Sequence, residues 1–279
     1  MKWANTTSNH AICQIDKNIY IFERPLDNLV NEGAITAQTK TDLTRLGGLP
    51  TSDNWESFNL QAPLTNPSKI ICLGLNYTDH AQEVGVQLPK NPTLFTKYSN
   101  ALIGPYDTIH LPPESTKIDW EAELCLVIGQ SARRLTLQEA SSAIWGYTVM
   151  NDISVRDWQG RTSEWFQGKN WDKTTPFGPA IVTADELDLD RRLNITCTVD
   201  GEVRQKGNTA AMIFNPAEVV SYISAFMTLE PGDLIALGTP SGVGLSLHPR
   251  KWLADGQTVV TEIEGIGALT NICQLEDLQ

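Results

Sequence analysis

Two glutamates one residue apart, Glu121 and Glu123, precede an apolar run at Leu124–Ile128 that is typical of a buried strand. Side chains alternate between the two faces of a strand, so the two carboxylates are expected to point the same way. Desolvated carboxylates side by side repel each other, and the conflict disappears when a cation lies between them. The pair therefore predicts a metal site at the start of this strand.

A third carboxylate follows a second apolar segment, Trp145–Met150, which is also expected to be a strand and is followed by Asp152. Glu121, Glu123 and Asp152 form an all-oxygen ligand set, which suits Mg²⁺ or Mn²⁺, with Ca²⁺ as an alternative, rather than zinc. Three carboxylates fill only part of a roughly six-coordinate shell and leave positions for water and a chelating substrate. The competing interpretation is that acids at strand ends simply face solvent.

His80 and Glu83 lie three residues apart, shortly after a strand that is expected at Lys69–Leu73. On one helical turn they would share a face, and a carboxylate beside an imidazole raises its basicity. The residues alone favour an ordinary surface histidine–glutamate pair at a helix start. Residues 85–92 contain one glycine and two prolines, a composition typical of a flexible loop that can cover a site.

Strands predominate among the predicted elements, and they recur as hairpins. The predicted hairpins are Ala11–Asp16 with Ile19–Glu23, Ile195–Val199 with residues 202–204, and Thr258–Ile263 with Ala268–Leu275. Capping patterns predict two helices, one of two to three turns after Thr136 and one from Asn215 to about Phe226. The predicted class is therefore α+β and mainly β.

The first 65 residues contain no cluster of carboxylate, histidine and lysine side chains. A helix is predicted from about Thr36 to Leu46, because two glycines and then a proline follow it. Residues 61–67 include two prolines and are typical of a linker. We predict a small N-terminal domain, residues 1–65, and a catalytic domain, residues 66–279.

With 41% hydrophobic and 19% charged residues, the composition is that of an ordinary globular protein. No apolar run is long enough for a membrane span, and the N-terminus lacks the apolar core of a signal peptide, so a cytoplasmic location is predicted. The net charge of −12 disfavours nucleic acids and anionic membranes as partners. Five widely spaced cysteines, without a C-x-x-C pair, predict buried free thiols rather than disulfides or zinc ligands.

Three further segments are ambiguous from the residues alone. Arg156 and Gln159 would lie near Asp152 if their segment formed a turn or short helix, yet a solvated arginine is a serious alternative. Lys169 lies in a segment, residues 168–176, that is predicted to be a loop, where most lysines are solvated. Residues 237–244 are glycine-rich but lack the Gly-Lys-Ser/Thr ending of a P-loop, so they predict a tight turn rather than a nucleotide site.

Several short motifs, in matching order, resemble the fumarylacetoacetate hydrolase superfamily. Order and spacing over many motifs are more specific than any single motif, and the resemblance covers roughly residues 66–275. The motifs are Gly74–His80, Glu121-x-Glu123, Asn151–Gln159, Gly168–Lys169, Phe177–Pro179 and Leu237–Val243.

The resemblance implies a mixed β-sandwich roll that forms a homodimer and binds one divalent cation per subunit. The implied metal ligands are Glu121, Glu123 and Asp152. His80, paired with Glu83, becomes the catalytic base, and Lys169 stabilises negative charge on an enolate.

For the substrate, the resemblance implies that Arg156 and Gln159 help to bind an anionic end and that Thr239 contacts a hydroxyl group. One departure bears on the substrate. Fumarylacetoacetate hydrolase itself carries a further aspartate ligand upstream of its histidine, whereas this chain has Gly74–Asn76 there, as in the smaller prokaryotic-type members. A three-carboxylate site and a different substrate follow.

The implied reaction is hydrolytic cleavage of a C–C bond in a 2,4-dioxo acid, such as an acylpyruvate, or in a related β-diketone, through a metal-bound enolate. His80 with Glu83 would activate the attacking water. Decarboxylation of oxaloacetate-like acids, keto–enol tautomerisation, and hydratase or isomerase steps of aromatic catabolism are alternatives on the same site. A catalytically silent binding protein is a further alternative, which the complete set of candidate residues disfavours.

Overall fold

The computed structural model describes residues 1–35, 43–187, 189 and 192–277. Strand outweighs helix, at 37% against 18%, as expected for a mainly β protein. No helix within the described residues is long and apolar enough to cross a membrane.

The strands are, in chain order, β1 (Lys2–Thr6), β2 (Ala11–Ile15), β3 (Asn18–Phe22), β4 (Leu49–Thr51), β5 (Leu60–Gln61), β6 (Ile70–Gly74), β7 (Thr93–Lys97), β8 (Leu102–Ile103), β9 (Ile109–Leu111), β10 (Ile118–Asp119), β11 (Ala122–Ile128), β12 (Ile144–Asn151), β13 (Ser154–Val155), β14 (Thr175–Thr183), β15 (Asn194–Val199), β16 (Glu202–Asn208), β17 (Leu234–Ala236), β18 (Thr258–Ile263) and β19 (Gly267–Leu275).

The helices are short, and they are α1 (Leu26–Asn31), α2 (Thr78–Glu83), α3 (Leu137–Ser142), α4 (Arg156–Gln159), α5 (Phe166–Lys169) and α6 (Pro216–Ser224). The capping box predicted at Thr136 and the helix cap predicted at Asn215 are both present, and the cap at Asn215 is a capping box as well. The helix after Thr136 is shorter than predicted because β12 begins two residues after it ends. Most of the helix predicted over residues 36–46 lies outside the described residues, and residues 43–47 form turns.

Twelve strands form one mixed sheet, in the order β4-β3-β2-β1-β14-β12-β11-β17-β6-β7, with β5 beside β1 and β8 beside β14. A second sheet has the order β16-β15-β18-β19-β9, and β10 pairs with β13. The three predicted hairpins are present as β2–β3, β15–β16 and β18–β19. All five cysteines are buried and free, as predicted.

The central strand β11 is apolar along its length because both of its faces are covered. Leu124, Leu126 and Ile128 pack in a core that includes side chains of the five-stranded sheet. Cys125 and Val127 pack on the opposite face, in a core that includes side chains of β1–β3 and α1. Alternation along the strand thus divides the interior into two layers.

Residues 1–65 extend the large sheet, since β1 pairs with β14 in antiparallel register, with Lys2 opposite Val182 and Trp3 opposite Ile181. The division into domains at residue 65 stays a prediction, but the two parts share hydrogen-bonded strands.

The large sheet curls, and this curl brings β7 towards β12. The two strands are four positions apart in the sheet, which in a flat sheet would separate them by about 19 Å. Instead, Lys97 at the end of β7 reaches Asp152, just after β12, with 2.7 Å between Nζ and Oδ1. The curl therefore brings the ends of these two strands together.

Candidate active site

Three carboxylates meet where β11 begins and β12 ends. Glu121 directly precedes β11, Glu123 is its second residue, and Asp152 follows β12, the antiparallel neighbour of β11. The backbone N–H of Asp152 donates to the carbonyl of Glu121 at 2.9 Å, which holds the strand ends together. One oxygen of each carboxylate lies within 4.8 Å of the others, and all three residues are buried. The structure brings together the three residues that the sequence predicted as metal ligands.

The buried cluster around these residues contains more acids than bases. Its four acids and three bases are Asp119, Glu121, Glu123 and Asp152, and Lys97, Arg156 and Lys169. One negative charge is left without a basic partner, and a buried charge without a partner is costly.

Glu123 is the acid without such a partner, since it has no ion pair among the described residues. Its Oε2 accepts a hydrogen bond from the Gly238 N–H at 2.8 Å. Burial, together with the charges of Asp152 and Glu121, raises the pKa of Glu123 well above its usual value. A divalent cation among the carboxylates would remove this conflict, and an all-oxygen donor set suits Mg²⁺ or Mn²⁺. The residues present therefore fit the implied cation.

The prediction that Lys169 lies in a loop is wrong. The residue ends the one-turn helix α5. Its Nζ donates to Glu121 Oε2 at 2.8 Å and to Asp152 Oδ2 at 2.7 Å. The helix approaches α4 closely at Gly168, where an added Cβ would lie 2.4 Å from Gln159 Cβ. Burial alone would lower the pKa of Lys169, but Asp152 and Glu121 outweigh it and raise the pKa above its usual value. The lysine is thus a buried cation of the site.

Lys97 is a second buried cation, and it is not among the site residues predicted from the sequence. Its side chain is fully buried and donates to Asp152 Oδ1 at 2.7 Å and to the Ile153 carbonyl at 3.3 Å. Asp152 is therefore held from both sides, by Lys97 on one oxygen and by Lys169 on the other. A signal was available, because Phe95 is a buried apolar residue two positions earlier, and strand alternation puts residue 97 on the same face.

Replacing Lys97 with methionine is expected to lower the free energy of unfolding by about 3–5 kcal/mol, because it leaves a buried carboxylate short of a partner. Urea denaturation in the presence of a chelator measures this loss. Lys206→Met, at an exposed position on β16, is the matched control and should change stability by less than about 0.5 kcal/mol. Equal stability of the two variants would contradict the structural role of Lys97.

Arg156 begins the short helix α4, in a segment for which the sequence predicts a turn or short helix. Its Nε donates to Asp119 Oδ2 at 2.7 Å, and its Nη1 lies 2.6 Å from Glu121 Oε1 and 3.0 Å from Gln159 Oε1. Its Nη2 is buried and has no hydrogen-bond partner among the described residues. Burial would raise the pKa of Glu121, but Lys169 and Arg156 lower it to about 2. The arginine thus anchors the metal-site glutamate and keeps one nitrogen for a further acceptor.

Asp119, which also received no role from the sequence, fixes Arg156 to the loop after β17. Its Oδ1 accepts from Gly244 N at 2.7 Å, and its Oδ2 accepts from Leu245 N at 3.0 Å. Burial raises the pKa of Asp119, opposed by the charge of Arg156. Its contacts come from residues 37 to 126 positions away, so spacing gave no signal for them.

His80 and Glu83 both lie in α2 and form the predicted pair, with 3.0 Å between Nδ1 and Glu83 Oε2. In the tautomer in which Nδ1 donates this hydrogen bond to the Glu83 carboxylate, Nε2 is the ring nitrogen without a proton. Glu83 Oε1 accepts from Gly242 N at 2.8 Å, and Asp79 Oδ2 accepts from the Ser241 hydroxyl at 2.9 Å. The pair is therefore oriented by the glycine-rich loop, and His80 is only 9% exposed, unlike a surface histidine.

One cavity of about 600 Å³ connects these groups. The predicted site residues that line it are His80, Glu121, Glu123, Arg156, Gln159, Lys169 and Thr239. The hydroxyl of Thr239 donates to the Ala122 carbonyl at 2.9 Å and accepts from Gln205 Nε2 at 2.8 Å. Because these bonds already engage the hydroxyl, its contact with a substrate stays a prediction.

Among the described residues, no additional acid takes the place of the fourth ligand that fumarylacetoacetate hydrolase itself carries. Asn76 is buried, its Nδ2 donates to the carbonyls of Leu237 and Phe214, and its Oδ1 accepts from Phe214 N. Within the described ranges, the three-carboxylate group is the set that could hold a metal ion.

Comparison with known proteins identifies the relatives of this chain. Residues 69–274 match the family model described as fumarylacetoacetate (FAA) hydrolase C-terminal. A 44% identical relative is the oxaloacetate tautomerase Fahd2a, mitochondrial, of Rattus norvegicus, aligned over 75% of this chain and 67% of the relative.

Two solved structures have the same fold over nearly the whole chain. The fumarylacetoacetate hydrolase of Exiguobacterium antarcticum is 32% identical, with a TM-score of 0.86 over 99% of this chain and 100% of the other. The 2-hydroxyhepta-2,4-diene-1,7-dioate isomerase of Mycobacterium marinum is 33% identical, with a TM-score of 0.76 over 100% of both chains. Hydrolase, isomerase and tautomerase activities thus occur among the relatives.

Proposed function

Because the chain belongs to the fumarylacetoacetate hydrolase family, we propose that it is a divalent-metal-dependent keto–enol tautomerase of oxaloacetate-type 2-oxo acids. The observation that carries the proposal is the cavity that His80, oriented by Glu83, lines together with the buried carboxylates of Glu121 and Glu123. The named tautomerase activity of the 44% identical relative supports this reaction over the C–C hydrolysis that the sequence favoured. The enzymatic activities of the relatives also weigh against a silent binding protein.

Tautomerisation moves one proton between C3 and the oxygen at C2 and breaks no C–C bond. His80 Nε2 takes the proton from C3 of the keto form and delivers it to the oxygen at C2. In the reverse direction it takes the O–H proton of the enol and delivers it to C3, while Glu83 holds the ring and stabilises its protonated state. The ammonium of Lys169 stabilises negative charge that develops on the oxygen. Arg156, through its free Nη2, is the proposed partner of the substrate carboxylate.

Glu121, Glu123 and Asp152 would hold one Mg²⁺ or Mn²⁺ per subunit, which when bound would act as a Lewis acid towards the 2-oxo group. The other ligand-shell positions are left to water and substrate, as three carboxylates do not complete the shell.

Hydrolytic C–C cleavage of an acylpyruvate is the second candidate. The fold shared with a fumarylacetoacetate hydrolase supports it, and the His80–Glu83 pair could equally activate water.

Loss of enol absorbance, measured together with pyruvate release, separates these candidates. With Mg²⁺ or Mn²⁺, the proposed tautomerase removes enol-oxaloacetate without releasing pyruvate. Pyruvate release from oxaloacetate would indicate a decarboxylase, and pyruvate release from acylpyruvates or fumarylpyruvate would indicate the hydrolase. Failure to accelerate any of these reactions would contradict the proposed function.

The homodimer and the cytoplasmic location stay predictions. Light scattering after size-exclusion chromatography tests the first, and tagged-protein imaging in the native cell tests the second. The rat relative is named as mitochondrial, so the second test has a specific alternative.

A further inference from the structure

Arg161 differs from the other basic residues that line the cavity. Arg156 is paired with Asp119 and Glu121, and Lys169 is paired with Glu121 and Asp152. Arg161 has no carboxylate partner among the described residues, although it lines the same cavity. Its positive charge is therefore available to a ligand.

The guanidinium of Arg161 is held in place by an aromatic platform. Its central carbon lies 3.4 Å from the ring centroid of Trp158, and its backbone N–H donates to the Trp158 carbonyl at 3.2 Å. Trp158 in turn packs edge-on against Trp171, with 5.0 Å between ring centroids. Stacking engages the face of a guanidinium and leaves its N–H groups, which lie in the plane, to pair with a carboxylate.

Arg161 also lies at a different depth from the catalytic groups. Glu121, Glu123 and Lys169 are buried, whereas Arg161 is exposed to solvent at the cavity. A ligand whose 2-oxo acid end reaches the buried carboxylates would extend its other end towards the exposed side. In a chain with a net charge of −12, a second anionic group needs a local cation to be accepted.

We propose that Arg161 recognises the second carboxylate of a dicarboxylic 2-oxo acid and so selects diacids over substrates with an uncharged distal end. The inference rests on the proposed function for the identity of the reaction, and it assigns Arg161 to substrate selection rather than to proton transfer. Arg161→Gln is expected to raise KM for oxaloacetate about tenfold and to leave kcat within about twofold, because a charge-assisted hydrogen bond at an exposed site is lost.

The 4-ethyl ester of oxaloacetate is the matched ligand, since a neutral ester replaces its distal carboxylate and the 2-oxo acid end is unchanged. The wild-type protein should prefer oxaloacetate, and Arg161→Gln should leave KM for the ester unchanged. Arg161→Lys should recover part of the preference, since it restores a point charge without the planar fork. Added salt should weaken oxaloacetate binding more in the wild type than in Arg161→Gln.

Arg134→Gln is the matched control, because Arg134 is exposed and does not line the cavity. It should leave the preference between the two ligands unchanged. Equal effects of Arg161→Gln on both ligands, or no effect on either, would overturn the inference.

Calorimetric titration of the Mn²⁺-loaded protein with the same two ligands separates this inference from the proposed function. A loss of the affinity difference in Arg161→Gln supports diacid recognition even if the wild type does not tautomerise oxaloacetate. An unchanged affinity difference refutes the role of Arg161 even if tautomerisation is observed.

Discussion

Replacing Glu123 with glutamine is expected to reduce turnover by at least about 10³-fold while making the metal-free protein more stable. The loss follows from removing one of three proposed metal ligands, since Lewis-acid stabilisation is worth several kcal/mol. The gain follows from burial, which with Asp152 and Glu121 raises the pKa of this carboxyl well above its usual value. A neutral amide of the same shape removes the unpaired buried charge and can still accept from the Gly238 N–H.

The stability gain in the metal-free state should be about 1–3 kcal/mol, the cost typical of a poorly compensated buried polar group. Urea unfolding in the presence of a chelator measures it, and calorimetry with Mn²⁺ measures the loss of metal affinity. Glu262→Gln, at an exposed position on β18, is the control for the loss of one negative charge. Tight Mn²⁺ binding by Glu123→Gln, or a clear loss of metal-free stability, would contradict the assignment.

Replacing His80 with asparagine is expected to lower kcat by about 10²–10⁴-fold, the usual contribution of a general base, and to leave Mn²⁺ affinity within about twofold. Glu83→Gln should also lower kcat, because the amide cannot stabilise a protonated imidazole as a carboxylate does. The double variant should be little worse than His80→Asn alone, because residues that act as a unit are not additive.

His10→Asn, in the turn between β1 and β2, is the matched control for this pair and should retain wild-type kcat. Urea unfolding should accompany each assay, since Glu83 Oε1 also accepts from Gly242 N and its removal could loosen the loop. A stable His80→Asn variant with wild-type turnover would exclude His80 as the base.

Much of the local structure follows from the sequence, because local rules suffice for it. The three hairpins, both capping boxes and the burial of all five thiols are set by alternation, turn residues and caps over short stretches. The metal-site prediction has the same basis. Residues 121 and 123 share a face by strand alternation, and Asp152 joins them because β11 and β12 are antiparallel neighbours.

The segment around Lys169 is where the prediction from local sequence patterns differs from the structure. The segment around Lys169 lacks an apolar period and was predicted to be a loop. It forms one helical turn because Gly168 allows it to pack against Gln159 and because the lysine pairs with two buried carboxylates. The helix owes its existence to tertiary contacts rather than to propensity.

Residue type and short spacing predict the three acids as metal ligands, whereas a catalytic role for the His80–Glu83 pair is predicted only from the family resemblance. Contacts between remote segments of the chain establish that Lys97, Arg156 and Lys169 neutralise the acids and that Arg161 stays available. Lys97 reaches Asp152 because the large sheet curls, and Asp119 meets Arg156 and the 244–245 turn from separate parts of the chain. Arg161 is left without an acid among the described residues. Charge pairing in a buried cluster depends on distances of a few ångströms across strands remote in sequence, and no local pattern encodes those distances.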